Sequence, residues 1–268
     1  MAKLGGLAGV VLFGIIFILK MWVLGNRVNT NAPQNPYPGP SPPVKFATAP
    51  TAKQSSPVTT PRPVTVAPKH DPRDVAPKLD ADRGYDPNFL KTAALQAWFG
   101  QDKELAATCD RTLQFLKDTN NPALAEQAAK ICCLRPLDDK THDAALVLAR
   151  RAVELGRGNA FEANFQMALG MAEYRSGNYA LADAALLAAS QLGKGNYSVS
   201  GTSTFYRAMS LFRQGKEPEA HKLAAGAIAK MKPLPTDERN PLVGRNNADD
   251  LILWMAYKEA RELLPLTR

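Results

Sequence analysis

Residues 171–177, Met-Ala-Glu-Tyr-Arg-Ser-Gly, recur 38 positions later as Met-Ser-Leu-Phe-Arg-Gln-Gly at 209–215. Methionine, an aromatic, arginine and glycine coincide, and Ala182 and Ala189 then fall on Ala220 and Ala227. A period of this size means one supersecondary unit used repeatedly, each copy burying its apolar face only against its neighbours. The unit reads as a helix, a tight glycine turn and a second helix. Glycine takes φ > 0 where the first helix ends, and small alanines let two helices approach closely. From Asn88 onward the chain is rich in alanine and leucine, and no run of alternating β-branched residues exceeds Tyr197–Thr202. The fold expected for 88–268 is all-α.

The first copy resembles the tetratricopeptide (TPR) repeat. Leu169-Gly170 stands where that family has Leu-Gly, Gly177 at the turn, Tyr179 two residues later, and Ala182 and Ala189 at the two small positions of the second helix. Gln166 stands at the family's first aromatic position and Leu186 at the aromatic of the second helix. The second copy has Ala208 for glycine and Glu217 for tyrosine, yet keeps the turn and both alanines. Two looser pairs precede these: Phe89–Phe99 with Lys103–Leu116 across Gly100-Gln101-Asp102, and Ala123–Leu134 with Asp143–Leu155 across a longer loop through Pro136. Asp249–Leu264 is one amphipathic helix, with Asn247 or Asp249 as N-cap and Pro265 as stop. It is expected to cap the free end of a solenoid.

The run from Asp86 to Leu264 also resembles the C-terminal TPR regions that follow kinase domains in planctomycete and verrucomicrobial serine/threonine kinases. Trp98–Cys109, Asp118–Leu134, Arg151–Gly156, Leu169–Tyr179 and Glu259–Leu264 carry that likeness. It implies an interaction domain. It does not carry kinase activity over, because no glycine-rich loop, catalytic-loop aspartate or DFG-type aspartate occurs.

The first 87 residues read differently. Leu4–Leu19 has no charge, and with Met21–Leu24 beyond Lys20 it gives a helix of roughly 31 Å, about one hydrocarbon core. Lys20 and Trp22 suit the headgroup region, and Gly25-Asn26-Arg27-Val28 offers no small-residue cleavage pattern. Residues 1–25 are thus expected to be a single transmembrane anchor. Fourteen of the 21 prolines fall between Pro33 and Pro87. Residues 26–87 are expected to be a disordered, extended linker reaching up to ~190 Å at ~3.1 Å per residue. A long spacer after an anchor suits the crossing of a cell-wall layer, so the expected location is a bacterial inner membrane with the C-terminal domain on the exported side.

The formal net charge is +8, but residues 88–268 hold 23 basic and 20 acidic side chains. The pI near 9.4 is therefore largely a property of the first 87 residues, and no nucleic-acid partner is expected. His70, His142 and His221 have no cysteine or carboxylate at a metal-ligand spacing, and Cys132 and Cys133 diverge by about 100° on a helix. They read, with Ile131 and Leu134, as small core residues. Gly193-Lys194-Gly195-Asn196 fails the phosphate-loop pattern, and the Asp138-Asp139 and Asp249-Asp250 pairs suit solvation and capping. No enzyme activity, catalytic residue, cofactor or metal is expected.

Two functions remain. The first is a membrane-tethered TPR adaptor or scaffold whose concave groove binds a peptide or partner protein. Groove positions implied by the resemblance are Asn164, Met167, Met171, Tyr174, Arg175, Phe205, Met209, Phe212 and Arg213. Methionines adapt to apolar shapes, aromatics give rigid contact area and arginines fork onto carboxylates. Against that, Arg175 and Arg213 occupy last turns, where a cation satisfies carbonyls and the helix dipole, and the methionines can equally pack between repeats. The second function is an accessory subunit of a larger membrane complex, with residues 4–24 in the bilayer packed on other subunits through Gly5 and Gly9, and the repeats bracing or capping it.

Overall fold

The computed structural model describes residues 88–264, and these are all-helical, with no strand among them. The anchor and linker readings, and Pro265, lie outside the described residues. Among the described residues no helix is long and apolar enough to cross a membrane.

Nine helices follow one another: α1 (Phe89–Trp98), α2 (Asp102–Leu116), α3 (Pro122–Cys132), α4 (Asp139–Leu155), α5 (Glu162–Arg175), α6 (Tyr179–Leu192), α7 (Tyr197–Arg213), α8 (Glu217–Ile228) and α9 (Ala248–Leu263). The first eight pair as four hairpins, α1/α2 to α7/α8, and each odd helix also packs on the next odd one. Gly177 at φ +76° and Gly215 at φ +75° end α5 and α7, the turn conformation that the repeat demands. The hairpin α3/α4 lacks such a glycine and is joined by the longer Pro136 segment, as its sequence indicates.

The starts of the helices are set by side chains. Asn121 accepts hydrogen bonds from the amides of Ala123 and Leu124, with Pro122 in the first turn. Asp138 accepts from Thr141, and Asn196 from Val199. Asn247 and Asp250 form a reciprocal capping box at α9. The Asn196 cap places Tyr197–Thr202 inside α7, so the short strand-like stretch is helical. Local β preference yields there to packing on α5 and α6.

Close approach within the third hairpin rests on size. A methyl group at Gly170 would overlap the side chain of Leu186, and Ala182 and Ala189 are completely buried. The core runs through every helix, from Phe89 in α1 to Trp254 in α9. The long loop between α8 and α9 is pinned by two indoles. Trp98 Nε1 donates to Glu238 O at 2.9 Å and Trp254 Nε1 donates to Lys232 O at 3.0 Å.

The position of α9 corrects one expectation. It does not stack on the end of a row of hairpins. It packs on α7 and on α1, the last and first of the odd helices. The cause is visible in its sequence: Leu251, Ile252, Leu253 and Trp254 are four consecutive buried residues, more apolar circumference than an end cap has neighbours for.

Candidate functional site

The odd helices α1, α3, α5 and α7 pack side by side, and α9 packs on α1 and α7 and reaches α3 and α5 through charged side chains. Trp254 sits beside Trp98 of α1, ring centroids 6.1 Å apart. Asp249 lies 3.7 Å from Lys130 of α3. Glu259 pairs with Arg175 of α5, and Tyr257 packs on Phe205 of α7 at 5.6 Å. A methyl group at Gly201 of α7 would press on Leu253, so that glycine admits α9. The face that the TPR resemblance assigns to a partner is covered by the chain's own last helix.

Arg175 is the centre of this contact. Its side chain is only 4% exposed and its two terminal nitrogens fork onto Glu259 at 2.5 and 2.7 Å. Nε donates to the carbonyl of Cys133 at 3.0 Å, and Nη2 reaches Leu134 O and the Tyr206 hydroxyl. One guanidinium thus joins α5, the end of α3, α7 and α9. Burial works to lower its proton affinity, yet Tyr206 and Glu259 outweigh that and hold it above the ordinary arginine value. Burial also pushes the Tyr206 phenol well up, so it stays a neutral donor to Cys133 O.

The other residues assigned to the groove divide. Met171, Phe205 and Met209 are completely buried, and Met167 and Tyr174 nearly so. These five, with Arg175, pack inside the fold rather than line an open surface. The reason is the double neighbourhood of each odd helix, which meets its hairpin mate on one side and α9 or the next odd helix on the other. Asn164 and Phe212 are half-buried, and Arg213 is exposed. The nine residues do not form one accessible cluster.

The three cysteines are free and buried. Cys109 Sγ lies 3.8 Å from the Ile131 carbonyl. Burial pushes the Cys133 thiol up to about 12 against the pull of Arg175, the opposite of what a nucleophile needs. Among the described residues no group of three His, Cys, Asp or Glu side chains could hold a metal ion. Glu126 and Lys130 form a buried pair within α3, Nζ to Oε1 2.7 Å. Burial pushes the Glu126 carboxyl up, while Lys130 is held above its usual value because Glu126 and Asp249 outweigh its own burial.

What remains open lies on another side of α7. A cleft of about 750 Å³ is floored by α7 and walled by α8, with Ser190 of α6 at its edge. Its α7 side carries Ser200, Thr204 and Leu211, and its α8 side Leu223, Gly226 and Ala227. Lys222 and Lys230 stand at its rim, and Arg207 there is neutralised by Asp183 at 2.7 Å. Repeat alignment did not point to this cleft. The one signal for it in the sequence is Gly226, a glycine inside an alanine-rich helix that no repeat position requires.

Against known proteins the chain matches no family model, no curated protein and no solved structure.

Proposed function

We propose that this chain is a protein–protein interaction module: TPR-like helical hairpins carried on a membrane anchor at residues 4–24 and a long spacer. Its place is a bacterial inner membrane, with the hairpins on the exported side. The observation that carries the interaction reading is the open cleft of about 750 Å³ beside a fold whose obvious groove is already filled. A pocket of this size, with Leu211, Leu223 and Ala227 as apolar lining and polar groups around them, is suited to anchoring a partner. The glycine turns and the buried small residues of the third and fourth hairpins support the TPR likeness.

A second reading, a fixed subunit of a larger membrane complex, draws on the outer face of α6. Leu181 is 56% and Leu192 53% exposed there, with Ala184 and Leu187 also open to solvent. The only charged residue of α6, Asp183, is engaged by Arg207. Permanent partners cover such faces. Solubilising native membranes in mild detergent and sizing the chain on native gels tests both readings. A discrete species heavier than the 29.0 kDa protomer is expected. If it dissociates on dilution the adaptor reading holds, and if it survives the subunit reading holds. Migration as a lone protomer from native membranes overturns both.

A further inference from the structure

We propose that the cleft between α7 and α8 receives an amphipathic helix of the partner protein, one with a stripe of leucine- and alanine-sized residues and carboxylates along its flank. This deepens the interaction reading above and rests on it.

The cleft's two sides are helical stripes, Ser200, Thr204 and Leu211 of α7 facing Leu223 and Ala227 of α8 at intervals of four and seven residues, with Met231 just past the end of α8. Such rows leave a groove into which the side-chain ridge of a third helix packs. From Tyr197 to Leu211 the α7 wall runs about 21 Å, room for roughly four turns. The α7 side favours close approach, since Ser200 and Thr204 have little side chain to hold a visitor off.

Gly226 marks the occupant's path. Three glycines lie within the helices, and close contacts explain two of them: Gly170 makes room for Leu186 and Gly201 for Leu253, whereas Gly226 stands in the last turn of α8. A methyl group at Gly226 would meet nothing within 4 Å. In the unpartnered chain this glycine only weakens α8 relative to alanine. Its lack of a side chain has a use when another backbone comes against it, in the cleft that it lines.

Charge selects the partner. Lys222 and Lys230 are exposed and form no ion pair among the described residues, and Arg207 is already neutralised. Glu219 sits one turn before Lys222, at the opposite end from Lys230. Lys222 lies within α8 and Lys230 in the turn two residues past its end, about 12 Å further along at the helical rise, which matches carboxylates about two turns apart on a facing helix. The chain's own residues 25–87 do not answer this description, with eight basic side chains against five acidic and a proline at every few positions.

The test uses the full chain in nanodiscs of zwitterionic lipid, with empty discs as blank, and two labelled synthetic 16-residue peptides. Both carry the same leucine/alanine stripe, one flanked by glutamates and the other by lysines. Anisotropy is expected to show binding of the glutamate peptide, weakened by salt, and at least tenfold weaker binding of the lysine peptide. Gly226→Leu, which fills the cleft, should reduce affinity tenfold or more, and Gly226→Ala should raise the melting temperature while lowering affinity. Lys222→Glu with Lys230→Glu, both at exposed positions, should invert the preference between the peptides, a result that does not depend on Gly226→Leu folding. Equal binding of both peptides, or no inversion by the double reversal, overturns the proposal. So does concentration-dependent self-association that Gly226→Leu abolishes, which makes a second copy the occupant, or loss of binding to anionic vesicles in the double reversal, which makes it a lipid surface. If the heavier species of the native gel persists in Gly226→Leu and in the double reversal, the interaction reading stands and the cleft assignment falls. If wild type runs as a lone protomer, the interaction reading falls and the partner helix with it, whatever the peptides show.

Discussion

Arg175 and Arg213 hold equivalent places in the two repeats, and the structure gives them opposite fates. Replacing Arg175 by methionine keeps much of the volume and removes the guanidinium. Glu259 then faces the interior without its cation, and the carbonyls of Cys133 and Leu134 lose the donor that Arg175 supplies. Breaking a buried ion pair from one side costs about 3–5 kcal/mol. The Glu259 side chain is 28% exposed and regains some water, so the lower end, about 3 kcal/mol, is the better expectation. For a domain of this size that is a fall in melting temperature of about 6–12 °C. Urea unfolding of the full chain followed by tryptophan fluorescence reads the effect, because Trp98 and Trp254 both report on the seating of α9. A double-mutant cycle with Glu259→Gln should give a coupling of about 1–3 kcal/mol. The same methionine at the exposed Arg213 should stay within about 0.5 kcal/mol of wild type. An Arg175→Met variant as stable as Arg213→Met, or a cycle with no coupling, would refute the account of Arg175 as the residue that fastens α9.

The remaining expectations are independent of that one. Lys130→Met leaves Glu126 buried and uncompensated and should cost about 3–5 kcal/mol near neutral pH, with most of it recovered by adding Glu126→Leu. The deficit should shrink as pH falls, because Glu126, already pushed up by burial, takes a proton and ceases to be a buried charge. Gly177→Ala forces a Cβ into the left-handed region and should lower stability by about 1–2 kcal/mol in the same urea assay. His142 accepts the amide of Leu137 through Nε2, and burial, helped by Arg175, holds its pKa below 6.5. The unfolded chain therefore binds that proton first, so stability should decline as pH falls below about 6.5 and level off below the folded value. Midpoints against pH in His142→Gln should lack that decline while keeping the losses due to carboxylates.

Helix content was legible because it is written in local chemistry. The glycine turns at 177 and 215, the Asn247 cap and the alanine positions 182, 189 and 220 are each fixed by residues nearby in the chain. The site was far less legible. Whether Met171 and Met209 line a groove or a core depends on what lies across from them, and that neighbour, α9, begins 39 residues after Met209. Arg175 shows the same limit. Its last-turn position announces a cation among carbonyls, but its acceptors belong to residues 133 and 134 and to Glu259. Periodicity reports which side of a helix is apolar, and it does not report how many partners share that side.

The seating of α9 against α1 also sets a schedule for synthesis. Trp98 leaves the ribosome about 150 residues ahead of Trp254, the ring it rests beside. At about 5–20 residues per second the early hairpins wait some 8–30 s before the segment that covers them exists. As α1, α3, α5 and α7 emerge in turn, each shows its apolar flank until the final helix arrives and completes the fold. A nascent chain stalled before residue 248 lacks the helix that covers these flanks and should be bound by holding chaperones. A stop codon that removes α9 should lower abundance far more than its sixteen residues imply.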